Sequence, residues 1–442
     1  MSAQRFHIIS LGCAKNTVDT HSMKTLLTRA GYQAESRPDQ ADVLIVNTCG
    51  FIQSAREESY AVLKELATAK RFNQWLIAAG CLPQYIGTEI SDDVPGLDAL
   101  ISTRRWMDIV PVLEALSKDP HPRPFVHIPD MPTVGRDEQG VMRTAVQGAS
   151  AYLKIADGCH RTCAFCAIPQ IKGTAVSRPP ERILDEAQRL QELGVRELVL
   201  IAQDTTSYGK DLGMRQGLSN LLEELVLHVP EIDWIRILYG FPSSVNTSLI
   251  ETMARHDQIL PYLDIPLQHA HPDILRRMHR PADLDATRRR LDALRRAMPE
   301  IALRTAFIVG YPGERDAEFQ SLLDFVAEQR FDRLGVFTYS FESRTPAGSL
   351  GDPVPEAIKQ ERLALLMELQ QQISLEKHQQ FIGRSLDVLI EGHGDGLSIG
   401  RSYRDAPEID GLIFVEGALE IGAILRVQID SVLPYDLKGH PI

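Results

Sequence analysis

Between residues 151 and 375 the chain repeats one pattern: a short apolar run, an amphipathic stretch, and another apolar run. The runs are YLKIA (152–156), ELVLIAQ (197–203), WIRILY (234–239), LDIPLQH (263–269), LRTAFIVG (303–310) and LGVFTY (334–339). Helical stripes lie between them, at 180–193 and at 284–298, where Leu284, Leu291, Leu294 and Met298 share a face. Six βα units spaced roughly 30–40 residues apart predict an open, partial (βα)6 version of the (βα)8 barrel, with its chemistry at the carboxyl ends of the strands.

The same alternation, shorter, fills residues 5–117. FHIISL (6–11), VLIVNT (43–48), WLIAAG (75–80) and DALIST (98–103) read as strands. A stripe through Met23, Leu26, Leu27 and Ala30 stops at Gly31; further helices are expected near 54–69 and ending near Leu116. This is the pattern of a parallel α/β sheet. Five prolines (Pro120, Pro122, Pro124, Pro129, Pro132) then favour an extended linker. After 378, SLDVLIEG, LSIGRSY, LIFVEG and AILRVQIDSV are short alternating runs broken by glycine, the signature of a small β-barrel. The expected division is 1–117, a linker 118–150, 151–377 and 378–442. It agrees with a length of 442 residues, since a domain takes ~100–200.

Composition narrows the class. Hydrophobic residues at 44% and charged residues at 24% exclude a disordered or collagen-like chain. No apolar run nears the ~20 residues of a membrane span, and the first residues lack a signal-peptide pattern. The expected compartment is therefore the cytoplasm, with no membrane partner. With 47 basic against 59 acidic residues, a net of −12, the chain is a poor generic binder of nucleic acid.

All six cysteines fall at meaningful places. Cys13, Cys49 and Cys81 each stand just beyond the carboxyl end of a predicted strand, in the strings LGC, TCG and AGC. Ligands gather at that edge of an open α/β sheet. The triad reads as buried thiols, as a zinc site needing a further ligand, or as an iron–sulfur cluster with one iron open. Spacing alone leaves these open. Cys159, Cys163 and Cys166 lie on one loop, DGCHRTCAFC (157–166), after the first strand of the six. A C-x3-C-x2-C loop can hold three irons of a [4Fe–4S] cluster and leave the fourth free for the amine and carboxylate of an amino acid, a group that S-adenosylmethionine (SAM) carries. Zinc with His160 as a strained fourth ligand is the alternative.

Together these residues resemble the methylthiotransferase family of radical-SAM enzymes. Cys159, Cys163 and Cys166 match the radical-SAM motif, and Cys13, Cys49 and Cys81 match the auxiliary-cluster cysteines. The strings LGCAKNTVD (11–19), DGCHRTCAFCAIP (157–169), AQDTTSYG (202–209), LPYLDIPLQHA (260–270) and FIVGYPGE (307–314) resemble the RimO branch, which modifies an aspartate of small-subunit ribosomal protein S12; a second branch modifies transfer-RNA adenosine. The branch usually has proline after its first cysteine, where this chain has Ala14. The resemblance implies two [4Fe–4S] clusters and SAM as both methyl donor and radical source. One SAM methylates the auxiliary sulfur. A second yields a 5′-deoxyadenosyl radical, which takes a hydrogen from the aspartate β-carbon before the methylthio group is transferred. A flavodoxin- or ferredoxin-like donor would supply the electron. No general base is assigned, because the C–H bond is unactivated. Gln203 and Gly310, at strand ends, are candidate SAM contacts, and Phe165 a candidate shield of the cluster.

The terminal barrel resembles the TRAM domain, often an RNA-binding module. Residues 378–442 hold five basic and ten acidic residues, a net of −5, which would repel phosphate and attract a Lys/Arg-rich ribosomal protein. Direct RNA binding is thus disfavoured. Against this, Arg276, Arg277, Arg280, Arg288, Arg289, Arg290, Arg295 and Arg296 crowd one helical region, as an ion-paired surface or as a contact with ribosomal RNA.

Overall fold

The chain is described by a computed structural model covering residues 4–118, 124–136 and 139–442. Pro120 and Pro122 of the proline-rich stretch lie outside these residues. The first sheet contains β1 (Arg5–Ser10), β2 (Gln33–Ala34), β3 (Val43–Thr48), β4 (Trp75–Gly80), β5 (Ala99–Ser102) and β6 (Phe125–His127). All pairings are parallel, in the order β2-β1-β3-β4-β5-β6. Residues alternate faces along each strand. Val43 and Ile45 pack with Met23 and Leu113 on one side, while Leu44 and Val46 pack with Leu63 and Leu66 on the other. Helices on both faces explain why these strands read as unbroken apolar runs.

The second sheet has seven strands. β7 (Thr144–Gln147) pairs antiparallel with β8 (Ser150–Lys154). A hairpin of β9 (Ala156–Asp157) and β10 (Val176–Ser177) follows. The parallel series continues with β11 (Glu197–Ile201), β12 (Trp234–Ile237), β13 (Ile259–Asp264), β14 (Ala302–Val309) and β15 (Arg333–Thr338). The outer face packs on Ile183, Leu221, Met253, Leu294 and Leu322 from successive helices. One run was displaced. The strand is 259–264 rather than 263–269, because Pro266 cannot donate to a ladder and Gln268 turns to φ 76°. The stretch 118–150 is also more than a linker. It gives β6 to the first sheet and β7 to the second.

The concave face of this partial barrel is charged. Each of its six parallel strands contributes one group: Lys154, Glu197, Arg236, Asp264, Arg304 and Arg333. Each finds a partner. Glu197 lies between Arg236 (2.6 Å) and Arg401 (2.6 Å), and Arg304 binds Asp264 (2.9 Å). Arg333 pairs with Asp405. Arg401 and Asp405 belong to the C-terminal unit, so these pairs dock it at the amino ends of the strands, where Glu197 opens β11 and Arg333 opens β15. That unit is a closed barrel of β16 (Ser385–Gly394), β17 (Leu397–Arg401), β18 (Ile413–Glu416), β19 (Ile424–Val432) and β20 (Leu437–Pro441), in the order β16-β17-β18-β20-β19. Val388, Ile390, Val415, Val427 and Ile429 fill it.

Candidate active site: two cysteine triads at facing strand ends

The N-terminal triad is assembled from three strand ends. β1 leads through Gly12 to Cys13, which caps the helix Ala14–Arg29. β3 leads directly to Cys49, and β4 to Cys81 at the start of the helix Cys81–Ile86. The loops touch because glycines flank the cysteines. A Cβ on Gly12 (φ 89°) would stand 2.8 Å from the Cβ of Cys49 and 3.1 Å from its Sγ. A Cβ on Gly50 would stand 3.0 Å from the carbonyl of Cys81. Asn16 locks the three ends. Its Nδ2 donates to the carbonyls of Leu11 (2.9 Å) and Thr48 (3.1 Å), and its Oδ1 lies 3.7 Å from the Cys81 thiol. Asn47 reinforces this by donating to the Asn16 carbonyl (2.9 Å).

The thiols differ in ionisation. Burial pushes Cys81 up to about 12, with Lys172 opposing and Cys49 and Cys13 adding. Burial also raises Cys49. At Cys13, which is exposed, desolvation by the surrounding chain is outweighed by Lys15, by the N–H groups of Asn16 and Lys15 and by Lys172, and the thiol falls below its ordinary value. Cys13 thus uses the helix N-terminus as an anion site.

The central triad sits on residues 158–175, framed by the β9–β10 hairpin. Gly158 (φ 74°) makes the entry turn, and a Cβ there would meet the Thr174 carbonyl at 2.2 Å. The Cys159 N–H donates to the Gly173 carbonyl (3.0 Å). Burial raises Cys159 to about 11, despite the Arg161 N–H on its sulfur. It raises Cys166 to about 12, with Cys163 and Cys159 adding. Raised thiols are protonated at neutral pH, so loading either triad with metal releases protons. Two arginines frame this loop. Arg280 donates to the Cys163 sulfur (3.7 Å), and Arg161 binds Asp204 (2.7 Å) and Ser244 (2.7 Å). Both stack on Phe241, at 3.7 Å for Arg161 and 4.2 Å for Arg280.

The two triads border the same buried region. Cys81 packs in one apolar cluster with Tyr85, Ala167 and Ile171, and Ala167 follows Cys166. A buried charge network ties the same two regions. Asp19 accepts from Lys154 (2.8 Å) and Lys172 (2.8 Å) and pairs with Arg143. Asp157, two residues before Cys159, forms an ion pair with Lys154 (2.5 Å) and accepts from Arg143 (3.3 Å). Burial alone would raise Asp19; Lys154, Lys172 and Arg143 hold it far below the carboxylate range. Among the described residues no three His, Cys, Asp or Glu side chains converge as a single metal ion requires. A cubic cluster gives each thiolate its own iron and makes no such demand.

Comparison with known proteins agrees with this layout. Residues 5–102 match the family described as "Uncharacterized protein family UPF0004", 153–326 the radical SAM superfamily and 382–442 the TRAM domain. The ribosomal protein uS12 methylthiotransferase RimO of Roseiflexus sp. (strain RS-1) is 46% identical, over 99% of this chain and 97% of the relative. That of Herpetosiphon aurantiacus is 48% identical, over 99% of each. The chain belongs to the RimO family of radical-SAM methylthiotransferases. Membership brings a [4Fe–4S] cluster and SAM as cofactors. Among solved structures, the radical SAM methyltransferase TsrM of Kitasatospora setae shares the fold, with a TM-score of 0.58 at 14% identity over 90% of this chain and 81% of that one.

The family's usual proline is easily replaced here. Ala14 occupies the first helical position, where proline is tolerated rather than required. Gln203 follows β11, and its Oε1 is buried without a partner among the described residues. Gly310 follows β14; its N–H binds Glu314 (2.8 Å), and its open side is filled by the Lys359 stem, 2.3 Å from where a Cβ would be. Phe165 is half-buried and packs beside Met278, Tyr311 and Tyr339. His160 is exposed. The arginine run divides. Arg276, Arg288 and Arg289 pair with Asp273, Glu328 and Asp283 on the surface, whereas Arg280 turns inward to Cys163. Sequence reasoning did not single out Asn16, Asp19, Lys172 or Arg161. Three of them had a signal, since Asn16 and Asp19 lie in LGCAKNTVD and Arg161 between the loop cysteines.

Proposed function

We propose that this protein replaces a hydrogen on the β-carbon of an aspartate in ribosomal protein S12 by a methylthio group. One observation carries the reading: Cys81 of one triad and Ala167, the residue after Cys166 of the other, lie in one buried cluster, although far apart in sequence. In this reading Cys13, Cys49 and Cys81 hold one [4Fe–4S] cluster and Cys159, Cys163 and Cys166 the other. Gln203 is the better-supported SAM contact, because its buried Oε1 lacks a partner among the described residues; Gly310 shapes the neighbouring turn. Bound there, the clusters and SAM would supply a carbon-centred radical and the methylthio group. The protein's own part is to set the spacing, through Asn16 and the Asp19 network, and to exclude water.

The terminal barrel supports a protein substrate. Two of its five basic residues are turned inward: Arg401 binds Glu197 (2.6 Å) and Arg404 binds Asp332 (2.7 Å). Two of its ten acidic residues, Asp405 and Asp410, are turned inward as well, onto Arg333 and Arg304, so the outward face keeps its acidic excess, suited to a basic ribosomal protein, free or in the small subunit, and not to phosphate. A flavodoxin- or ferredoxin-like donor would deliver the electron. No helix among the described residues is long and apolar enough to cross a membrane, and the cytoplasm is the proposed compartment.

The test is mass spectrometry of ribosomal protein S12 from cells with and without the gene. Loss of a methylthio-for-hydrogen increment on one aspartate is the expected result. An unchanged S12, with a methylthio-adenosine missing from transfer RNA, would overturn it.

A further inference from the structure

Among the described residues four lysines are buried, and three have carboxylate partners. Lys154 binds Asp19 (2.8 Å) and Asp157 (2.5 Å), Lys172 binds Asp19 (2.8 Å), and Lys359 binds Asp352 (2.6 Å). Lys15 is the exception. It is 8% exposed, and its ammonium rests on the face of Tyr239, 3.0 Å from the ring centroid, with no carboxylate partner. An aromatic face steadies a cation without neutralising it. A buried charge left without a counter-ion is costly, so a site that keeps one is built for an anion that arrives.

Its location is specific. Lys15 is two residues from Cys13, in the first turn of the helix Ala14–Arg29, and its side chain crosses to the carboxyl end of β12. It therefore spans from the N-terminal triad to the barrel mouth that carries the other one. The receiving side is strained. Tyr239 has φ 63° and Gln268, beyond the next strand, φ 76°, neither being glycine. Backbone strain of this kind survives where surrounding contacts hold it, and it gathers at ligand sites. Here the Tyr239 N–H is held by Asp264 (3.2 Å) and its carbonyl by the Thr205 N–H (3.1 Å). Cys13, two residues before Lys15, is exposed, so solvent reaches the edge beside this lysine.

We propose that Lys15 receives the carboxylate of the target aspartate, an inference that rests on the function proposed above. In aspartate the carboxylate carbon is bonded to the β-carbon. Anchoring the charge between the two triads therefore fixes the carbon to be modified. An asparagine in the same place would lack the charge, and a neutral residue at 15 would not sense the difference.

The test uses the reconstituted holoenzyme and two fluorescent peptides of the modified S12 loop, one with the target aspartate and one with asparagine there. Iron content and SAM binding are measured on each variant. The wild type should favour the aspartate peptide by about ten- to a hundredfold, the range of a hydrogen bond to a charged group. Lys15→Met should bind both peptides equally, at the wild type's asparagine level, with its iron retained. Lys15→Arg should keep part of the preference. If Lys15→Met, folded and iron-loaded, still prefers aspartate, Lys15 only balances the charge of the neighbouring thiolates and the proposal falls. A wild type that binds both peptides equally overturns it as well. A wild type that binds neither overturns the S12 reading itself.

Discussion

The two cysteine triads reach the same arrangement by opposite routes. The central one lies on a single loop, and its spacing is written in ten consecutive residues, Asp157 to Cys166. The N-terminal one is gathered from the ends of β1, β3 and β4, three adjacent strands of a six-stranded sheet. A local site survives wherever its loop closes. A site collected from three strands exists only when the whole sheet is in register, and its glycines and Asn16 show how tightly that register is held.

Separate loss of each triad is the sharpest way to test this contrast. Cys163→Ala should reduce deoxyadenosine formation to background and remove about half of the iron, leaving the N-terminal triad loaded. Cys81→Ala should do the reverse, with SAM cleavage retained and no methylthio product. Loss of both activities in either variant would mean that the triads do not load independently. Iron and sulfide analysis with product assays reads each case.

The network joining the triads comes next. Lys172→Met removes one partner of Asp19 and leaves a buried carboxylate less compensated, which should cost about 3–5 kcal/mol in urea unfolding. A loss below 1 kcal/mol would show that water enters this region. Gly12→Ala forces a side chain into φ 89°, at about 1–2 kcal/mol, and pushes on Cys49. The N-terminal iron should fall while SAM cleavage continues. The smallest effect is chemical. In metal-free protein Cys13 lies below the ordinary thiol value, through Lys15 and the helix N–H groups against desolvation, whereas burial sets Cys81 near 12. The thiolate is the deprotonated form, so at pH 8 Cys13 holds far more of it. Iodoacetamide should label Cys13 first, with Cys81 catching up only as the pH rises; equal rates at pH 8 would contradict the assignment.

Much of this was legible beforehand. VLIVNT and WLIAAG became β3 and β4 without adjustment, because a strand buried on both faces is apolar throughout. The loop triad was legible for the same local reason. The charges inside the barrel were not. Lys154, Arg236 and Arg304 sat in plain view within YLKIA, WIRILY and LRTAFIVG, where apolar neighbours carried the strand reading. A charge in the middle of a buried strand demands a partner, but its partner lies in another part of the chain: Asp19 for Lys154, Glu197 for Arg236, Asp264 for Arg304. The capture of residues 125–127 by the first sheet also escaped notice, since prolines and a short strand give no periodic signal.

By itself the sequence determined the repeating βα units, the small terminal barrel and the position of every cysteine at a strand end or on one loop. Hydrophobic period and residue spacing are local properties, and they propagate directly into local structure. Only the tertiary structure decided that Cys81 and Ala167 share one buried cluster, that Asp19 is shared by Lys154, Lys172 and Arg143, and that Lys15 rests on Tyr239 with no carboxylate partner among the described residues. These depend on how two sheets dock, and docking is set by the pairing of buried charges that no single segment contains.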